Sequence, residues 1–449
     1  MSASPVTWGS ALRSRLAPSL AVALACFAGL GLYDGALGTA WPSIRRSLAL
    51  PIGDLGLVQL AATAGFLCSS AISGRVSARI GRARGLAAAG GLTACALAAY
   101  AAAPDVVVLL LAAAVIGVAA GHLEPGLQAH LAVTAGPRSM NLLHACYGIG
   151  ATIGPLLITG LLVLGWSWRF AYVVILGVEL GVALAVLRRR ADFDATTPAR
   201  PPRETARVKR RRPVEIAGQP MAPPGTGAAA APLPRAGTAA APLPRAGAAA
   251  APLPRAGTAA APLPRAGVAM ALLLFFLYCG VEMGTGQWAF TFFTAARHLS
   301  PGLAGLLVAG YWASLTLVRL VTAAIGGRIS SGLLLALSAG GAVAGEGLML
   351  WEPATAVGAA GFLIIGASLA PAFPLMMSRT AAWAGNARVS SVIGWQSAAA
   401  SIGVAVPSAL AGLLIDDFGL GALMPYLCAL SVSFLLLQLA ALRTLGQRA

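Results

Sequence analysis

APLPRAGTAAAPLPRAGAAAAPLPRAGTAAAPLPRAG, residues 231–267, is four near-perfect copies of a ten-residue unit set end to end in the middle of the chain. Every copy carries two prolines, each of which removes a backbone donor, and a glycine, which adds entropy to the unfolded chain, so the repeats predict no stable helix. Loose polyproline-like or disordered backbone is the expectation. Upstream lie a basic cluster, Lys209 to Arg212, and the run Arg188, Arg189 and Arg190. From Arg188 to Gly267 there are 14 basic and 4 acidic residues, so this segment holds +10 of the net charge of +17. It contains no plausible core and reads as a linker. The repeats themselves read as tandem slippage in a tolerant loop, and a partner for their arginines is the less plain alternative.

On both sides the sequence changes character, to long apolar runs broken by short polar turns. Only 10% of the 449 residues are charged, against about 25% in a soluble domain. Mean hydropathy is +0.81. Runs of about 20 apolar residues recur, enough to cross a hydrocarbon layer of about 30 Å. Six such runs fit before the linker, over 18–40, 53–73, 84–103, 106–130, 141–164 and 168–187. Six more follow, over 268–294, 302–324, 330–350, 354–378, 389–412 and 420–441. The expected fold class is therefore an all-α membrane protein of twelve transmembrane helices in two six-helix bundles. Residues 1–187 form the first bundle, 188–267 a disordered basic cytoplasmic linker, and 268–449 the second bundle. The apolar run behind Arg13 and Arg15 continues to about Ala40 with further spans after it, so it reads as a retained first helix and not a cleaved signal.

Arginines set the orientation. With the N-terminus inside, the inner loops hold Arg75, Arg79, Arg82, Arg84 and Arg138, the whole linker, then Arg328, Arg379 and Arg388. The outer loops hold few arginines and most of the loop acids, Asp54, Asp105, Glu352, Asp416 and Asp417. This bias predicts both termini and the linker in the cytoplasm of a multi-pass protein of the bacterial inner membrane. It also accounts for the basic balance without nucleic acid. All six cysteines fall inside apolar runs at spacings that form no metal or redox motif, so they read as small buried side chains. Neither a cofactor nor a metal is expected. Membrane lipids, a small solute and protons are the expected partners, and the chain is expected to be monomeric.

The halves faintly mirror one another. Asp34 with Trp41 in the first span matches Glu282 with Trp288 in the seventh. Gly121 with Pro125 in the fourth matches Gly366 with Pro371 in the tenth, and Pro155 in the fifth matches Pro407 in the eleventh. Internal repeats of this kind are common in secondary transporters.

Polar residues inside spans are few, and each costs at least about 2.5–3.5 kcal/mol if charged at the bilayer centre, so they usually face a cavity or a partner. Asp34 lies in GLYDGALGTAWP and Glu124 in GHLEPGLQAH. Gly117, Gly121, Glu124 and Gln128 share a helical face, as do Asn141, His144, Gly148 and Thr152, and as do Tyr278, Glu282 and Gly286. Gln59 marks a milder polar face on the second span, and Gln396 is the principal polar side chain of the eleventh. These faces converge most simply on an aqueous central cavity. Asp34 and Glu124 are the proton-coupling candidates, because a carboxyl moving between wet and dry settings exchanges a proton. Each also reads as a satisfied structural acid. Gln59, Gln128, Asn141, His144, Tyr278, Glu282, Trp288, Tyr311, Trp312 and Gln396 are the substrate-binding candidates. His144 suits a solute hydroxyl, a proton relay or plain packing. A carboxylate with aromatic planes nearby, as in Glu282, Trp288, Tyr278, Tyr311 and Trp312, suits polyhydroxylated rings, whereas Trp and Tyr also gather at membrane interfaces. Glu179 is expected toward lipid, Glu346 near the outer end of its span, and Arg319 snorkelling to the inner surface.

The loop GRVSARIGRAR, Gly74 to Arg84, resembles the signature loop of the major facilitator superfamily in Gly74, Arg79, Gly81, Arg82 and Arg84, and departs from it at Ala78, where an acid is usual. That departure bears on the usual charge-relay latch and leaves the fold expectation intact. Within the superfamily the chain resembles the fucose permease group of sugar:proton symporters. The resembling pieces are YDGALGTAWPSI, HLEPGLQ, NLLHACYGIGATIGP, YCGVEMGTGQW, YWASLTLVR and APAFP, the fifth departing at Val318, where a glycine is common. The resemblance implies coupling and sugar-binding roles for the acids of the first and fourth spans, Asp34 and Glu124. It implies a proton-coupled symporter of a small polar solute, such as a monosaccharide, working by alternating access; proton-driven efflux of a drug or metabolite is the alternative on the same fold. An enzyme is not expected, since no nucleophile–base set converges and the four histidines are scattered along the chain.

Overall fold

A computed structural model of the chain describes residues 8–134, 136–194, 265–325, 328–384 and 389–445. The repeats from 231 to 264 and the cluster Lys209 to Arg212 lie outside them, and with them the expectation of a loose linker. The first half consists of α1 (Trp8–Leu48), α2 (Leu55–Ile80), α3 (Arg82–Ala102), α4 (Val106–Thr134), α5 (Gly136–Val163), α6 (Trp168–Arg188) and the single turn α7 (Arg190–Asp194). The second consists of α8 (Arg265–Thr291), α9 (Pro301–Ile325), α10 (Ser331–Trp351), α11 (Thr355–Leu369), α12 (Ala372–Ala384), α13 (Val389–Phe418) and α14 (Leu423–Leu445). Among the described residues twelve helical spans are long and apolar enough to cross a membrane, α11 and α12 together making one of them. Leu111, Leu306, Leu317 and Leu436 are each at least 60% exposed, which suits a lipid solvent and no other.

The pairing of helices in one half recurs in the other. α1 lies along α5 as α8 lies along α13; α2 packs on α4 as α9 packs on α11; α3 pairs with α6 as α10 pairs with α14. Across the halves, α5 meets α9 and α13 meets α2, again related pairs, while α1 meets α8. The α1–α5 crossing is close because Gly31 and Gly35 face Tyr147 and Ala151, while Gly150 and Gly154 face Ala28 and Leu32. A methyl group on Gly31 would fall 2.8 Å from the Ala151 nitrogen, so small residues at four-residue spacing are what bring the backbones together.

Two expectations are corrected at the margins. The tenth span is broken, into α11 and α12, around Ala370 and Pro371. Pro374 has no N–H to give the Ala370 carbonyl, and Arg319 Nε donates to that oxygen instead, at 3.2 Å. The ordered first half also runs past Arg188, through α7. Phe193 is fully buried with its ring 4.7 Å from that of His130, and the Asp194 carboxylate accepts from Ala83 N–H at 3.0 Å. A hydrophobic anchor and a cap on the first turn of α3 are enough to hold one further turn. Gly81, at φ 90°, makes the tight α2–α3 turn that places this cap.

Candidate transport site

The end from which the central segment departs, at Arg188 and Arg265, is called the linker end here. At the opposite, far end the halves touch. Gly53 N–H donates to Asp416 Oδ1 at 2.9 Å, so a carboxylate of α13 caps the start of α2 across the seam. A Cβ on Gly56 would lie 3.0 Å from the Ala409 Cβ. Nearer the middle, Gln287 Nε2 donates to the Asp34 carbonyl at 2.9 Å, and Thr316 of α9 sits against Gly148 of α5. Of the two described hydrogen bonds between halves, one lies at the far end and the other at Asp34 itself. The interface between the halves is thus closed at the far end.

Burial, and then the charge of Asp416, hold the Asp54 carboxyl beside this seam above the ordinary carboxylate range. A carboxyl that keeps its proton better when the seam is closed favours closure where it is protonated. It favours opening as pH rises through that range. Acidification should therefore shorten the distance between spin labels at the exposed positions Leu57 and Leu410, and Asp54→Asn should flatten that dependence.

Above the cleft floor, α1 offers Asp34, whose Oδ2 accepts from Tyr147 O–H of α5 at 3.0 Å. Glu124 of α4 accepts from Gln128 Nε2 at 3.0 Å, one helical turn on. The two carboxyls are close enough for their charges to act on one another. Neither forms an ion pair among the described residues, which hold two such pairs, Arg297–Glu352 and Arg319–Glu282. His144 stands at the meeting of α1, α5 and α9, edge-on to Phe27 at 5.8 Å and within electrostatic reach of Arg319. The Asn141 side chain lies outside the described residues.

The second half contributes differently from the expectation. Arg319 does not snorkel. It is drawn inward by the Ala370 carbonyl, by Tyr278 Oη at 3.4 Å and by Glu282 Oε1 at 3.7 Å. The break before Pro374 frees backbone oxygens that a guanidinium and a phenol satisfy, since Tyr278 O–H also donates to the Leu369 carbonyl at 3.3 Å. Arg319→Ala should leave Glu282 and a carbonyl unmatched and cost about 2 kcal/mol. A lowered Tm of the purified protein, not restored by Arg319→Lys, is the check, because an ammonium lacks the fork that reaches all three oxygens.

The aromatic side chains turn away from the cleft. Trp288 is fully buried and donates to Ser408 Oγ at 3.0 Å; Tyr311 donates to the Glu282 carbonyl at 2.8 Å and stacks on Phe362 at 4.7 Å; Trp312 lies beside Tyr311 and over Gly286. The Trp288 indole and the Tyr311 hydroxyl are spent inside the second half and all three side chains are buried, so they build its core. Gln396 is likewise turned inward, 1% exposed, donating to Thr380 Oγ1 at 2.7 Å and lining a small cavity with Gln438 and Phe275. Gln59 is buried on α2, one turn from Gly56, with its Oε1 unpartnered. Gly117 and Gly121 face Ala62 and Phe66 of α2, so those glycines pack against a helix and line no space. The structure thus gathers Asp34, Glu124, Gln128, His144 and Glu282 near the middle of the interface between the halves, whereas Tyr278 is fully buried in the second half with its hydroxyl on the Leu369 carbonyl. Tyr147, Gln287 and Arg319 join them without having been singled out as site residues. Tyr147 follows His144 at i+3 and was legible by spacing; Gln287 lies off the Tyr278–Glu282 stripe and was not.

A twelve-span membrane protein with two alike halves, polar side chains where they meet and a seam at one end is built as a solute carrier. The sequence profile of the Major Facilitator Superfamily matches residues 22–377, and the chain belongs to that superfamily of transporters, which are not enzymes. No curated protein matches the chain by sequence. Solved structures of similar fold include that of a variant of the nucleoside transporter NupG, with 11% identity, a TM-score of 0.67 and coverage of 94% of this chain and 99% of that one. A D-xylose-proton symporter is similar at 13% identity and a TM-score of 0.67, covering 94% and 96%. A variant of the E. coli fucose:proton symporter FucP is similar at 15% identity and a TM-score of 0.54, covering 94% and 98%.

Proposed function

We propose that this transporter is a proton-coupled symporter of a small polar solute, such as a monosaccharide, and that Asp34 and Glu124 carry the coupling proton. The observation that carries the reading is the pair of mid-membrane carboxyls that form no ion pair among the described residues, one of them beside a hydrogen bond between the halves. A protonated Asp34 is neutral and tolerates a dry, closed cleft; an ionised one demands water or a partner, so proton occupancy biases which end opens. Gln128 orients Glu124, and His144 and Glu282 meet the solute's hydroxyls. On the arginine bias, the linker end faces the cytoplasm of a bacterial inner membrane and the seam at Gly53 and Asp416 faces outward. The linker then serves as a tether between the six-helix bundles, and the chain works as a monomer among lipids. Efflux is the weaker reading, since the aromatic side chains that would favour an apolar drug are committed to the core of the second half.

The first test is a thermal-shift screen of the purified protein against monosaccharides and other small polar solutes, followed by solute-driven proton uptake in right-side-out vesicles. Alkalinisation of the medium on adding the solute that stabilises the protein is the expected result. Extrusion of that solute driven by an imposed proton gradient would replace symport by exchange.

A further inference from the structure

Glu179, on α6, has been given no role so far. It was expected toward lipid, yet it is 3% exposed and turned into the first half, where its carboxyl lies against Gly29 of α1. A methyl group on Gly29 would fall 3.0 Å from Glu179 Cδ and 3.4 Å from Oε2, so the missing side chain is what makes room for the acid. Its Oε1 is buried without a hydrogen-bond partner, and so is the hydroxyl of Tyr33, which lies one turn from Gly29 on the same flank of α1. A lone carboxyl in so apolar a place is costly unless it is neutral or finds water, and an acid kept merely for packing would have its oxygens matched.

The groups around it form a set. On α1, Cys26 and Tyr33 stand one turn to either side of Gly29, and Asp34 follows Tyr33. From α5, Tyr147 reaches it only through Asp34, to which its hydroxyl donates. On α3 the titratable group facing α6 is Tyr100, whose ring is held against Tyr172 at 4.8 Å. No cation forms an ion pair with Glu179 among the described residues. α1 therefore stands between two acids, Asp34 toward α5 and Glu179 toward α6.

We propose that Glu179 is a third proton-exchanging carboxyl of the first half, a positioning residue that acts through Asp34 and sets the pH range in which coupling works. This rests on the symport reading of Asp34. On ionising, Glu179 gives one proton to water and leaves a second negative charge behind α1. That charge opposes ionisation of Asp34, so the two release their protons as a coupled pair rather than independently.

The test is an infrared difference titration of the full chain in lipid, across the neutral range, following the carbonyl stretch of protonated carboxyls. In the parent protein a band assigned to Glu179 should titrate. Glu179→Gln should remove it and move the midpoint of the Asp34 band toward acid by about one pH unit, the scale of a coupled pair. Asp34→Asn should move the Glu179 band in the same sense, by linkage. Gly29→Ala keeps the acid but displaces its carboxyl; it should move the Asp34 midpoint too, and it decides the matter if Glu179→Gln fails to fold. A Glu179 band that persists unchanged throughout the titration, or an Asp34 midpoint indifferent to both variants, overturns the proposal. Loss of a titrating Asp34 band from the parent would sink the symport reading instead, and is seen separately.

Discussion

Asp34→Asn should abolish concentrative uptake while leaving the protein folded. A membrane potential of ~100 mV acting on one proton supplies about 2.3 kcal/mol, equivalent to about a 40-fold concentration ratio of solute. Losing the coupling proton removes that whole factor, so accumulation in vesicles falls to the level of the medium. Exchange of labelled for unlabelled solute should survive, because the amide keeps the Tyr147 hydrogen bond and imitates the neutral carboxyl. Glu124→Gln is expected to act in the same direction, with its Gln128 contact kept. Undiminished accumulation in both variants would remove the proton role from these residues.

The second large effect is a lock. Gly56→Cys with Ala409→Cys, in a background lacking the exposed Cys68 and Cys95, should form a disulfide across the far-end seam. The Cβ positions are 3.0 Å apart and a Cβ on Gly56 also meets the Ala409 backbone, so α2 and α13 must move apart to reach the ~3.5–4.5 Å of an unstrained bridge. Transport should drop to background on oxidation and return on reduction. Transport that persists through full cross-linking would mean that the far end need not open, and alternating access about this seam would be wrong.

Much of the architecture was legible because lipid imposes a simple rule: each span must satisfy its own backbone and face its apolar surface outward. Twelve apolar runs therefore map onto twelve spans. The broken tenth span was half visible, in Pro371 and Pro374, but its consequence was not. No periodicity says that Arg319 will turn inward to an orphaned carbonyl when a charge near a helix end has a surface close by. The aromatic residues misled for a related reason. Tyr278 shares a stripe with Glu282, and Tyr311 and Trp312 come from the next span, yet no spacing says whether a ring's neighbour is water or another helix, and Phe362 and Gly286 decide that from other parts of the chain. Glu179 shows the reverse: its placement turns on the missing side chain of Gly29, 150 residues away.

The polar part of the far-end seam is slight. With the bond nearer the middle, the described hydrogen bonds between the halves are Gly53 to Asp416 and Gln287 to Asp34, worth about 0.6 kcal/mol each at the average measured between membrane helices, together a bias of about tenfold. A solute that prefers the opposite arrangement by one order of magnitude in affinity would cancel that bias and leave the two populations balanced on this account. Weak closure is thus a condition of turnover: a firmer seam would ask the solute for binding energy it would then have to surrender on release.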